Sequence, residues 1–208
     1  MALENIASAE CCNRKRARTM TLCLIALGAN LPAGERTPAQ TLDEALARLA
    51  AEGVRPIRVS RWWRTPAHPP GSGPDFVNGA AACESALPAE GVLAALHWVE
   101  DALGRARPAR WAPRSCDLDL IDWGGRIAPD ADELRRWMAL GDRAGALPAP
   151  DRLILPHPRA HERAFVLAPL AEVAPAWRHP ISGLTAAQML AALGPGAMAG
   201  MSPLPAGS

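Results

Sequence analysis

The chain has 208 residues, 49% of them apolar, and a formal net charge of +1 at neutral pH. That length suits one domain with additions, and the near-neutral balance offers no broad basic field for nucleic acid or a membrane surface. No apolar run approaches the ~20 residues of a membrane-spanning helix.

Cysteines occur at Cys11, Cys12, Cys23, Cys83 and Cys116, with no C-x-x-C pair. Three of them lie in apolar, strand-like runs, so buried free thiols and a reducing, cytoplasmic setting are expected.

Residues 1–20 lack periodicity and end in the basic run Arg14-Lys15-Arg16-Ala17-Arg18. They have no apolar core of the kind a secretory signal needs, so they read as a flexible extension. Met20 directly precedes the first strand-like run and is a candidate start, which the intact mass of the native protein would reveal. Thr21 to Leu27 predicts a buried strand that breaks in a glycine turn at Gly28-Ala29-Asn30-Leu31. Thr37-Pro38-Ala39-Gln40 forms a capping box with proline at the first helical position, and Leu42, Ala45, Leu46 and Leu49 carry the helix to about Ala51. Arg55 to Trp63 alternates as a second strand. The Pro/Gly-rich stretch from Ala67 to Asp75 reads as a mobile loop, and Phe76 to Cys83 as a third strand.

Pro88 opens a second helix in which Val92, Leu93, Leu96, Val99 and Leu103 make one face, and Gly104 ends it. An acidic strand follows. The order β-α-β-β-α-β predicts an α+β, ferredoxin-like sandwich. C-terminal helical additions then complete a single domain over residues 21–193. Within it, 126–152 is a long connector with a short helix from Asp132 to Leu140, stopped by Gly141. Leu153 to Leu155 predicts a strand, His161 to Leu170 a helix, and Thr185 to Leu193 a last helix. Residues 194–208 are expected to fray.

The chemistry concentrates between Gly104 and Ile121. Arg105, Arg107, Arg110 and Arg114 lie on a Pro-containing loop; Asp117 and Asp119 follow, two apart on a strand and so facing one side. Two such carboxylates suit Mg²⁺, which takes oxygen ligands and leaves positions for phosphates. Guanidinium groups bind phosphate oxygens in a fork. Every basic residue except Lys15 is arginine, so arginine clustering alone says little. The arginines, Trp111-Ala112-Pro113-Arg114 and the Asp117-x-Asp119 pair together point to phosphoryl or pyrophosphoryl transfer from a nucleotide.

Five ordered motifs resemble the 6-hydroxymethyl-7,8-dihydropterin pyrophosphokinase family of folate synthesis. They are Gly28-Ala29-Asn30-Leu31; Arg64-Thr65-Pro66 with Asp75-Phe76-Val77-Asn78; Glu100 with Gly104-Arg105; Trp111 to Arg114 with Asp117-Leu118-Asp119; and Pro156-His157 with Arg163 to Leu167. The resemblance implies transfer of pyrophosphate from ATP to the pterin's hydroxymethyl group, giving AMP and the pterin pyrophosphate. It also implies catalytic Arg105, Arg114, Asp117 and Asp119, with the two aspartates holding two Mg²⁺ ions. ATP-binding positions are Glu100, Arg107, Trp111, Arg152, His157 and Arg163. Pterin-binding positions are Thr65, Pro66, Phe76, Asn78 and Phe165, the two phenylalanines stacking the ring.

Two departures stand out. His97 occupies a position where the family often has Gln, and residues 126–152 are inserted, either as surface elaboration or as a flap over ATP. A monomer that binds neither nucleic acid nor membrane is expected. A nucleic-acid-binding module using the same arginines is disfavoured by 4% aromatic content and by aspartates where RNA would approach. A dead nucleotide sensor is disfavoured because every metal and arginine position is filled.

Overall fold

The computed structural model describes residues 19–67, 73–104, 115–141 and 150–205. The elements are β1 (Thr21–Ala29), α1 (Pro38–Ala51), β2 (Val54–Val59), β3 (Trp63–Thr65), β4 (Phe76–Ser85), α2 (Ala89–Ala102), β5 (Asp117–Trp123), α3 (Ala131–Leu140), α4 (Ala164–Val173), α5 (Ala186–Ala192) and β6 (Ser202–Pro203). The strands make one antiparallel sheet in the order β5-β1-β4-β3-β6, with β2 also paired to β4.

Small residues in the centre of this sheet let helices cover both faces. Ala80, Ala81, Ala82 and Cys83 of β4 are fully buried. Cys23, Ile25 and Leu27 of β1 pack with Leu42 and Leu49 of α1 and with Val92, Leu96 and Val99 of α2. Leu24, Ala26, Ala80 and Ala82 turn the other way, under Leu167 and Leu170 of α4 and Met189 of α5. Alternation along β1 thus divides the core into two layers. Each fully buried leucine contributes about 1.5–3 kcal/mol relative to exposure.

Local signals explain the helix boundaries. Thr37 and Gln40 form the reciprocal capping box of α1, and Thr185 and Gln188 repeat it on α5. Asp130 caps α3 by accepting from the N–H groups of Asp132 and Glu133. Gly104, with φ of +85°, follows α2 in a conformation that L side chains rarely adopt.

Several expectations are corrected. Gly28 lies inside β1 rather than in a turn, opposite Asn78. The second strand divides into β2 and β3, because Ser60 bridges the break: its N–H donates to Ala80 O and its hydroxyl accepts from Ala80 N–H, both at 2.9 Å. Leu153 to Leu155 forms no strand; only Leu155 pairs, with Ala128, and Pro156 then offers no N–H to extend the ladder. The helix placed from His161 begins at Ala164, after a 3-10 turn at Ala160–Glu162. The tail does not fray as far as Pro205. Ser202 and Pro203 pair with β3, and Leu204 N–H donates to Trp62 O at 2.8 Å.

The insertion packs a small separate core against the domain, in which Leu134 and Trp137 are buried with Ile154 and beside Ile127, Met138 and Ile181. Cys23, Cys83 and Cys116 are buried free thiols. Burial pushes Cys23 and Cys83 up to about 12, which makes them packing residues rather than nucleophiles. Cys11, Cys12 and the rest of residues 1–18 lie outside the described residues. Among the described residues no helix is long and apolar enough to cross a membrane.

Candidate active site

The register of the sheet assembles the site. Asp117 pairs with Gly28, which pairs with Asn78, which pairs with Trp63; two residues along, Asp119 pairs with Ala26. Directly opposed residues in neighbouring strands share a face. Ala26 packs under α4, so Asp117, Asp119 and Asn78 all lie on the α4 side. The expectation that the two acids face one way holds.

Glu100, on the last turn of α2, fixes the height of the acidic strand. It is fully buried and accepts the Leu118 N–H at 2.8 Å, between the two aspartates. Its carboxylate therefore anchors helix to strand.

His157 and Arg163 come to the acids from the segment before α4. The His157 N–H donates to Ile121 O at 2.8 Å, which ties that segment to β5. Nε2 of His157 then stands 3.9 Å from Asp119 Oδ2, and Arg163 Nη1 stands 3.6 Å from the same oxygen. Nδ1 of His157 accepts the Arg159 N–H at 3.1 Å, so the ring proton belongs on Nε2, facing Asp119. Burial pulls the His157 pKa down; Asp119 opposes this, while Arg163 and Arg159 add to it. The ring is a neutral N–H donor. Burial likewise lowers the Arg163 pKa, yet a guanidinium stays charged.

A neutral wall adjoins this charged group. Asn78 Nδ2 donates to Thr65 Oγ1 at 2.7 Å, and both side chains are buried. A Cβ on Gly28 would stand 2.7 Å from Asn78 Oδ1, so glycine leaves the room the amide occupies. Phe76 is half-buried and pairs with Thr65. Phe165, at the start of α4, is 37% exposed, and the Arg163 guanidinium lies 5.8 Å from its ring centroid. Pro66 is exposed, and Gly200 comes close enough that a Cβ there would lie 2.7 Å from its Cγ.

The structure thus brings Asp117, Asp119, His157 and Arg163 together, and Thr65, Asn78 and Phe76 beside one another, with Phe165 linked through Arg163. It does not bring Arg152 to the acids. That side chain is exposed, 3.6 Å from Asp151, and its charge acts on Glu133 of α3. Arg105, Arg107, Arg110, Trp111 and Arg114 lie outside the described residues. Sequence reasoning missed Arg159 and Glu162, although the charge density from His157 to Arg163 signals them. Asn30, which the first motif contains but to which it gives no role, donates from Nδ2 to Pro74 O at 3.4 Å, just before Phe76.

A ferredoxin-like sheet with paired carboxylates, faced by an arginine and a neutral histidine, is the frame of a nucleotide-dependent phosphotransferase. Residues 24–175 match the family described as 7,8-dihydro-6-hydroxymethylpterin-pyrophosphokinase (HPPK). The chain belongs to this family, and so to the ATP-using pyrophosphokinases of folate synthesis.

Its relatives include 2-amino-4-hydroxy-6-hydroxymethyldihydropteridine pyrophosphokinases. That of Methylorubrum extorquens is 36% identical over 85% of this chain and 96% of its own length. That of Synechocystis is 37% identical over 72% of this chain and 66% of its own length, and that of Pseudomonas aeruginosa 36% identical over 75% and 82%. Among solved structures, wild-type Plasmodium falciparum HPPK-DHPS matches with a TM-score of 0.56 at 11% identity, over 84% of this chain. This chain spans 45% of that longer protein, so the likeness speaks for the fold. The α+β, ferredoxin-like expectation is borne out.

Proposed function

We propose that the chain transfers the β,γ-pyrophosphoryl unit of ATP to the hydroxymethyl oxygen of 6-hydroxymethyl-7,8-dihydropterin. The observation that carries the reading is the acidic pair beside Asn78 on one sheet face, with Arg163 and His157 over Asp119. A new bond forms between the hydroxymethyl oxygen and the β-phosphorus, the bond from that phosphorus to the α-phosphate oxygen breaks, and AMP leaves. The hydroxyl proton is lost in the same exchange.

Thr65, Pro66, Phe76, Asn78 and Phe165 hold the pterin. A flat ring with amide-like edges needs aromatic faces and one or two fixed polar partners, and the buried Asn78 amide, two residues from Phe76 on β4, can supply one such partner. Asp117 and Asp119 would hold two Mg²⁺ ions. Both are part-exposed oxygen donors on one sheet face. Bound there, the ions supply charge neutralisation for the triphosphate.

Arg163 and the His157 Nε2–H bind phosphate oxygens. Arg105 and Arg114 serve as catalytic arginines, and Glu100, Arg107, Trp111 and Arg152 complete the ATP side. The chain acts as a monomer in the cytoplasm, without nucleic acid or membrane partners; buried reduced thiols support that compartment. Incubating purified protein with ATP, Mg²⁺ and the pterin tests the reading. AMP and pterin pyrophosphate should form in equal amounts. ATP binding without AMP would leave a nucleotide sensor, and RNA binding without either a nucleic-acid module.

A further inference from the structure

The turn that delivers His157 and Arg163 carries a second arginine. Arg159 lies two residues beyond His157, and its side chain is only 15% exposed. Its Nε–H donates to Oε1 of Glu162, the residue just before Arg163. Its backbone N–H holds His157 Nδ1. The Arg159 charge lowers the pKa of both His157 and Arg163, so the guanidinium shares the electrostatic surroundings of the two groups that reach Asp119. Glu162 acts on Arg163 in the opposite sense.

A largely desolvated ion pair is poor evidence of a stabilising role, because the cost of dehydrating both charges roughly cancels their attraction. A cation kept ready for an anionic ligand does need a counter-ion while it waits. Glu162 is placed to supply one on the same turn.

We propose that Arg159 is a further triphosphate-binding residue, and that Glu162 is its resident counter-ion, exchanged for phosphate oxygens when ATP enters. The inference rests on the reading of the chain as an ATP-using pyrophosphokinase. Without nucleotide, the carboxylate occupies one edge of the guanidinium fork. With nucleotide, the fork meets phosphate oxygens, for which its planar geometry is suited. Glu162 is then a competitor for the arginine, and removing its charge should help ATP.

Calorimetric titration of the full chain with α,β-methylene-ATP and Mg²⁺ tests this in the wild type, Arg159→Ala, Glu162→Gln and the double variant. Alanine at 159 keeps the backbone N–H that holds His157, so the measurement isolates the side chain. Arg159→Ala should weaken the analogue about 10-fold or more, the size of a lost charge-assisted hydrogen bond, with pterin affinity unchanged. Glu162→Gln should tighten analogue binding about 2–5-fold, as expected for removing one partly exposed competing charge. In the Arg159→Ala background it should add nothing.

A merely structural pair predicts the same sign for both single variants, each weakening binding in step with a lower Tm. That result, or unchanged affinity in Arg159→Ala, overturns the proposal. Arg159→Lys, which keeps the charge but not the fork, should fall between wild type and alanine, and it decides the matter if the alanine variant does not fold. If the wild type itself fails to bind the analogue, the pyrophosphokinase reading falls and takes this proposal with it.

Discussion

The two halves of the candidate site are built differently. On the half proposed for the pterin, Asn78 and Thr65 are buried and joined by a 2.7 Å hydrogen bond, with Gly28 clearing space beside the amide. On the half proposed for metal and phosphate, the two basic neighbours of Asp119 stand back at 3.6 and 3.9 Å. The Asn78–Thr65 bond holds the neutral half in one arrangement, which lowers the cost of ordering it on binding. The charged half holds Arg163 and His157 near Asp119 without tight contact from either, so these two groups can turn to phosphate at little cost. A short hydrogen bond closes the neutral half, while longer electrostatic contacts from Arg163 and His157 reach Asp119 in the charged half.

The largest expected effect breaks the charged half. Asp119→Asn removes a ligand's charge at nearly constant volume. Turnover should fall about a thousandfold or more, the loss expected when several kcal/mol of metal-mediated stabilisation disappears. Pterin affinity and Tm should stay near wild type. Wild-type turnover at saturating Mg²⁺ would remove Asp119 from the metal site.

Gly28→Ala strikes the neutral half instead. Its new Cβ would press on Asn78 Oδ1 at 2.7 Å, and the amide must leave its bond to Thr65. Pterin affinity should drop about 10- to 100-fold, the worth of one or two fixed polar contacts, while affinity for the ATP analogue changes little. Equal losses for both ligands would mean that the two halves are not separable.

The same contrast explains what the sequence could show. Asp117 and Asp119 were legible because strand periodicity alone puts them on one face, and α1 and α5 because their capping boxes are local. Gly28 was misread as a turn, since the reason for glycine is a side chain fifty residues away, and no local pattern reports Asn78. Arg152 is matched to the nucleotide by family resemblance alone, and no local pattern reports where its side chain lies. Its surroundings are set by the inserted α3, a tertiary fact. Arg159 was overlooked because its ion pair with Glu162 reads, on sequence, like an ordinary surface pair three residues apart.

Glu100 sharpens the comparison by testing what holds the charged half in place. Glu100→Ala would leave the buried Leu118 N–H without this acceptor, at a cost of about 1–3 kcal/mol. Tm should fall by several degrees, and Mg²⁺-dependent turnover should weaken with it because β5 carries both acids. Glu100→Gln keeps an acceptor oxygen and should recover most of the stability. If both variants melt like wild type, the bond to Leu118 does not set the strand.

The smallest effect concerns the support behind the 3-10 turn. His179 is buried, with Nδ1 accepting the N–H groups of Ile181 and Ser182, and its ring lies 6.4 Å from that of His161 on the turn. Burial, and after it the charge of His161, pushes the His179 pKa down to about 4. An unfolded chain takes up this proton near 6.5 while the folded one refuses it, so the stability His179 provides is present above 6.5 and is lost as pH falls towards 4. Allowing for partial solvent screening, the loss should be roughly 1–2 kcal/mol. Buried Asp122, whose pKa is raised by desolvation, works in the opposite direction over the lower part of that range. The His179 share is therefore read as the difference between wild type and His179→Asn, whose side-chain oxygen can replace Nδ1 as acceptor without titrating. Melting curves between pH 7 and 4 should show the wild type losing stability faster than the variant. Parallel curves would mean that His179 is protonated as readily in the folded protein as in the unfolded chain.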